Sequence, residues 1–167
     1  MEPACCNGHV QLRDATAHGV EVRVTGYQFP DAEDPQQRYS WHVVEGHAWT
    51  AEGDWHFHFA ALTCDETPLV GPWLREAATR DASTPLRFTE PNLGFAAVQR
   101  DASVVDLTVE LDIEFLPPWR KPEHGPIYAG NPYAISLRLP SGALLAAADQ
   151  WEAEAAPFPD GLVEGVE

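Results

Sequence analysis

Four carboxylates stand at alternate positions of one short stretch. In "VDLTVELDIEFL" (105–116), Asp106, Glu110, Asp112 and Glu114, together with Thr108, interleave with Val105, Leu107, Val109, Leu111, Ile113 and Phe115. Strict alternation predicts a strand with one buried face, which makes the other face an acidic ladder. Carboxylates two residues apart on a strand are separated by roughly 6.5–7 Å, within the range over which paired acids cleave a glycosidic bond. The same row could attract a basic partner, or serve only to keep sheets from associating. Like charges along one face repel, so the ladder carries a stability cost that salt reduces.

A second group with coordinating chemistry is His42, His47, His56 and His58. His56 and His58 lie two apart on one face of "GDWHFHFAAL" and could reach a single ion, with His42 on a neighbouring strand as the third ligand that zinc requires. No HExxH motif or carboxylate at a fixed offset accompanies them. A metal- or small-molecule-binding β-domain built on His42, His56 and His58 is therefore an alternative reading, and a carboxylate-dependent carbohydrate-active enzyme is another. Phosphate-binding Gly-rich loops, a P-loop Lys and GxSxG are absent from the sequence, and Cys64 has no recognisable catalytic context. Cys5 and Cys6 are adjacent, with no CxxC spacing, so all three cysteines read as reduced thiols and no cofactor or metal is expected.

The elements that must position these residues follow from hydrophobic period. "QLRDA" and "VEVRVTGY" read as a hairpin through "TAHG", with a bulge or turn at Gly26. "FPDAEDPQQR" (29–38) reads as a loop. "YSWHVVEG" and "GDWHFHFAAL" read as strands, with the turn inside "EGHAWTAEGD" and Trp55, Phe57 and Phe59 on the core face. From about 66 to 80 the period becomes helical, with Leu69, Trp73, Leu74 and Ala77 facing inward and Asp65 or Thr67 as cap. Gly71 and Pro72 should confine the regular helix to the later residues. Two short extended segments flank the turn cluster Glu90, Pro91 and Asn92. The acidic strand, a Pro-rich loop (117–132) and the strand "YAISLRL" follow. A second helix, about 141–156, would be capped by Ser141. The expected fold is α+β, mainly β: an antiparallel sheet or sandwich with two flanking helices.

With 167 residues the chain reads as a single domain, frayed at about 1–8 and 160–167. Hydrophobic content of 44% and six Trp suffice for a core, so the net charge of −16 describes the surface. That charge disfavours nucleic acid and anionic membrane and favours basic partners. No signal-peptide pattern or membrane-length apolar run occurs, which implies a cytoplasmic protein.

The segments "GYQFPD", "GDWHFHFAALT", "LVGPWL", "FTEPNLGF" and "ELDIEFLPPW", in that order, resemble the WapI-type immunity proteins of bacterial polymorphic-toxin and contact-dependent inhibition systems. The resemblance runs from about Val20 to Pro159, and "FTEPNLGF" followed by "PPW" is its most specific part. It implies a small acidic cytoplasmic protein, not an enzyme, that binds the C-terminal domain of a cognate toxin and blocks it. Trp55, Trp73, Glu90, Asn92, Pro118 and Trp119 then read as core, turn and loop-anchoring residues. The expected partner is a basic toxin domain whose active site is occluded. The candidate contacts are Asp106, Glu110, Asp112 and Glu114 for electrostatic capture and Trp119 and Tyr128 as aromatic anchors.

Overall fold

A computed structural model of the chain describes residues 10–80 and 84–161. Cys5, Cys6, the expected frayed N-terminus and all but Asp160 and Gly161 of the expected frayed C-terminus lie outside those residues. Among the described residues, seven strands form two antiparallel sheets. The first has the order β1 (Val10–Arg13), β2 (Gly19–Tyr27), β3 (Trp41–Thr50) and β4 (Gly53–Thr63). The second has the order β5 (Leu93–Gln99), β6 (Val104–Leu111) and β7 (Tyr133–Pro140). Sequential neighbours pair throughout, as short connections between amphipathic strands require. The architecture is α+β and mainly β, with two main helices: α2 (Val70–Thr79), entered through a 3-10 turn at Thr67–Leu69, and α3 (Ser141–Ala155). A one-turn helix α1 (Pro35–Arg38) lies within the expected 29–38 loop, where Asp34 accepts from the Gln36 N–H and Pro35 occupies the first turn.

The inner faces of both sheets and the helices share one apolar core. Val20, Val22, Val44, Trp55 and Phe57 from the first sheet join Phe95, Leu107, Val109 and Leu137 from the second, with Trp73, Leu74, Leu144 and Trp151 from the helices. Helices α2 and α3 pack on each other, α3 also against β1 and β2 and α2 against β5. Trp55 Nε1 donates to the Phe115 carbonyl at 3.0 Å, and the Phe57 and Phe115 rings lie 4.4 Å apart, which joins the two sheets.

Several local expectations are corrected by packing. The β3–β4 turn is only Ala51 and Glu52, because "EGHAWT" remains strand and pairs with "GDWHFH". Gly71 and Pro72 lie inside α2: Pro72 falls in the first turn, where no N–H is needed. Gly71 admits the Glu152 carboxylate of α3, which would lie 2.3 Å from a Cβ. Ser141 is the first helical residue, preceded by Pro140, and makes no side-chain cap; its N–H donates to Ser103 O at 2.8 Å. Asp65 and Thr67 do not cap α2 either, since the 3-10 turn supplies its entry and Thr67 is buried. Leu69 and Phe59, expected inside, are 51% and 37% exposed. Leu69 ends the tighter 3-10 turn rather than lying on the helical face, and Phe59 lies where the β3–β4 register shifts.

Candidate functional site

The acidic ladder is shorter than its sequence. Strand β6 ends at Leu111, and Ile113 takes φ of +47° within a 3-10 turn, Ile113–Phe115. Asp112 makes that turn: one carboxylate oxygen accepts from the Ile113 N–H at 2.8 Å and the other from the Gly130 N–H at 2.9 Å. Its own N–H donates to Asn92 O at 3.0 Å, and the residue is 3% exposed. Asp112 is therefore an internal brace between the turn and the Pro-rich loop, and it cannot offer a carboxylate to a partner. Glu114 is half-buried and accepts from Asn92 Nδ2 at 2.8 Å, while its carbonyl accepts from Lys121 Nζ at 2.9 Å.

The two remaining ladder acids share the outer face of β6 with arginines. Asp106 pairs with Arg138 at 3.0 Å and with Arg100; the bond from Arg138, followed by that from Arg100, holds its carboxyl below the usual carboxylate range. Glu110 pairs with Arg87 at 3.2 Å. Three guanidinium groups thus meet two carboxylates on this face, which is charge-alternated rather than acidic. Arg138 reaches Asp106 because β6 and β7 pair those residues directly, a long-range register that local sequence does not reveal.

The geometry does not assemble a carboxylate pair for glycoside hydrolysis. Asp106 and Glu110 are four strand residues apart, about 13 Å along the chain, beyond the range used by inverting or retaining enzymes. The Glu110–Asp112 and Asp112–Glu114 pairs both include the occupied Asp112.

The three-histidine set is divided by the sheet. His42 is 1% exposed on the inner face, where Nδ1 lies 2.6 Å from Thr67 Oγ1 and burial pushes its pKa down. His56 and His58 are exposed on the outer face of β4, opposite to the buried His42, so the three imidazoles cannot converge on one ion. No cluster of three or more His, Cys, Asp or Glu side chains suited to a metal occurs among the described residues. His47, on the same outer face, stacks on His56 at 3.9 Å and donates from Nε2 to Asp54 Oδ2 at 2.7 Å. His47 and His56, with Glu21, Arg23, Glu45 and His58, line an open groove of about 430 Å³. Arg23 is clamped on Glu45 there, and Arg13 lies 4.0 Å over the Trp49 ring. Cys64 is buried, which pushes its thiol up to about 12, so it is an inert thiol rather than a nucleophile.

The two loop aromatics are accessible in different ways. Tyr128 is 78% exposed; Trp119 is 43% exposed, with its ring edge-on to Trp55 at 5.3 Å and close above Gly53. Gly53 takes φ of +148°, and a Cβ there would lie 3.2 Å from the Trp119 ring. The Pro-rich loop is thereby seated at the start of β4, a contact of residues 66 positions apart that sequence period could not indicate. Trp55, Trp73 and Asn92 are buried, as the core and turn roles implied: Trp73 Nε1 donates to Thr84 O at 2.7 Å. No helix among the described residues is long and apolar enough to cross a membrane.

A family model described as the immunity protein WapI-like family matches residues 11–159. No curated protein and no solved structure matches the chain.

Proposed function

This chain belongs to the WapI-like immunity protein family, and on that premise we propose that it binds and neutralises the C-terminal toxin domain of a cognate bacterial polymorphic toxin. The match over residues 11–159 is the observation that carries the reading. The proposed mechanism is non-catalytic: a cytoplasmic protein that occludes the active site of a basic toxin domain by contact and by charge. Two features support it. A net charge of −16 on a folded surface draws a cationic protein from a distance and raises its encounter rate. Asp106, Glu110 and Glu114 contribute to that field, although their arginine and amide partners deny them a leading part. Trp119 and Tyr128 supply exposed aromatic area on a loop held by Asp112, the kind of rigid anchor on which affinity concentrates.

The test is co-expression with the toxin domain encoded immediately upstream, with a pull-down at low and high salt. Rescue of growth with a complex that weakens as salt rises is the expected result. Neither rescue nor binding would overturn the reading. Rescue with a salt-insensitive complex would keep immunity and remove the electrostatic mechanism.

A further inference from the structure

We infer that the free edge of β4, from Asp54 to Ala60, is the docking line for an extended, cationic segment of the toxin domain, which adds to the first sheet as a fifth strand. This rests on the toxin-binding reading and specifies where the contact is made.

Among the described residues the two open sheets have four edges, and three of them have another strand or a backbone bridge alongside. Strands β1 and β7 lie against one another. The edge of β5 is bridged by Leu86, whose N–H donates to Phe95 O at 2.8 Å and whose carbonyl accepts from Phe95 N–H at 3.1 Å. Along β4 the 113–115 turn packs against the inner-face side chains Trp55 and Phe57, but no backbone hydrogen bond from outside β3 reaches residues 54–62 among the described residues. Alternate N–H and C=O groups on that side are therefore available to a further strand, over a run of about 23 Å for seven residues. Natural edges are commonly guarded by lysine, proline or an inward charge. Here the eleven residues of β4 contain none of these before the register shift beyond Phe59, and Asp54 is their only formal charge.

The occupant is set by charge and by the two ends of the line. Between Ala51 and Glu66 the chain has four carboxylates, Glu52, Asp54, Asp65 and Glu66, and no Lys or Arg. A second copy of this acidic chain would bring like charge to like, whereas a cationic strand meets opposite charge at both ends. Trp119, beside Gly53, stands at one end with 43% exposure, and Phe59 near the other with 37%. Main-chain pairing along the edge with aromatic contacts at its ends is the physical form of strand addition.

The experiment is amide hydrogen exchange of the full chain, alone and with the upstream-encoded toxin domain, together with binding by the exposed-edge variants His58→Lys and His58→Glu. The expected result is at least tenfold slower exchange across 54–60 in the complex, binding weakened tenfold or more by His58→Lys, and none lost with His58→Glu. Unchanged melting temperatures of both variants verify that the fold is intact. A complex that protects other segments and leaves 54–60 unchanged would overturn the inference while leaving toxin binding standing. Slowing of the same amides in the free protein as concentration rises, with a dimer by sedimentation, would overturn it in favour of a second copy. Absence of any complex would overturn the toxin-binding reading, and this inference with it.

Discussion

His42 Nδ1 lies 2.6 Å from Thr67 Oγ1, a buried hydrogen bond that ties β3 to the 3-10 turn entering α2. This histidine is a packing and hydrogen-bonding residue on the inner face, divided by the sheet from His56 and His58. Burial pushes its pKa below the ordinary value of 6.5, against the weaker opposing effects of the Phe158 backbone and the Asp160 carboxylate. Below pH 6.5 the unfolded chain therefore takes up a proton that the folded chain resists. Stability contributed by neutral His42 is complete above that pH and declines as pH falls below it. Urea midpoints measured from pH 7.5 to 5 should fall, and His42→Leu should fall less steeply over the same range. Equal slopes in the two proteins would refute this role.

Asp112 and Asp106 should behave oppositely although they belong to one acidic stretch. Asp112→Ala removes acceptors from two backbone N–H groups near the buried turn and should cost about 1–3 kcal/mol. It should also raise the proteolytic sensitivity of the 117–132 loop, whose Gly130 it holds. Asp106→Ala breaks only solvent-screened ion pairs with Arg100 and Arg138 and should change stability by less than about 1 kcal/mol. Chemical denaturation of the two variants distinguishes these outcomes, and a larger loss at Asp106 would contradict the structure.

Gly46 has no room for a methyl group. A Cβ there would lie 2.3 Å from the Glu21 carbonyl and 2.4 Å from the Phe57 ring. Backbone oxygen cannot yield as a flexible side chain can, so Gly46→Ala should destabilise by about 1–3 kcal/mol through overpacking. A thermal melt with no decrease would show that β2 and β3 adjust freely.

Trp55 joins the sheets by a directed bond as well as by area. Trp55→Phe keeps an aromatic ring but leaves the Phe115 carbonyl without its donor, which should cost about 1–3 kcal/mol. Because Trp119 rests edge-on against Trp55, the fluorescence of Trp119 should also shift on this substitution, whereas Trp73→Phe should leave it unchanged. A stable Trp55→Phe protein with unaltered Trp119 emission would argue against this joint.

The sequence by itself determined what local period and composition determine. Val105, Leu107, Val109 and Leu111 alternate, and they line the core as one face of β6. The helical spacing of Trp73, Leu74 and Ala77 fixes the inner face of α2, and the ordered aromatics and turns carry the family resemblance that the family match bears out. Tertiary structure alone decided which polar groups remain available. Arg138 reaches Asp106 only through the β6–β7 register, Asp112 turns inward only because Gly130 returns to meet it, and Trp119 settles over Gly53 from 66 residues away. Side-chain direction along a strand is a property of neighbours in sequence, whereas charge neutralisation, burial of a carboxylate and exposure of a sheet edge are properties of neighbours in space.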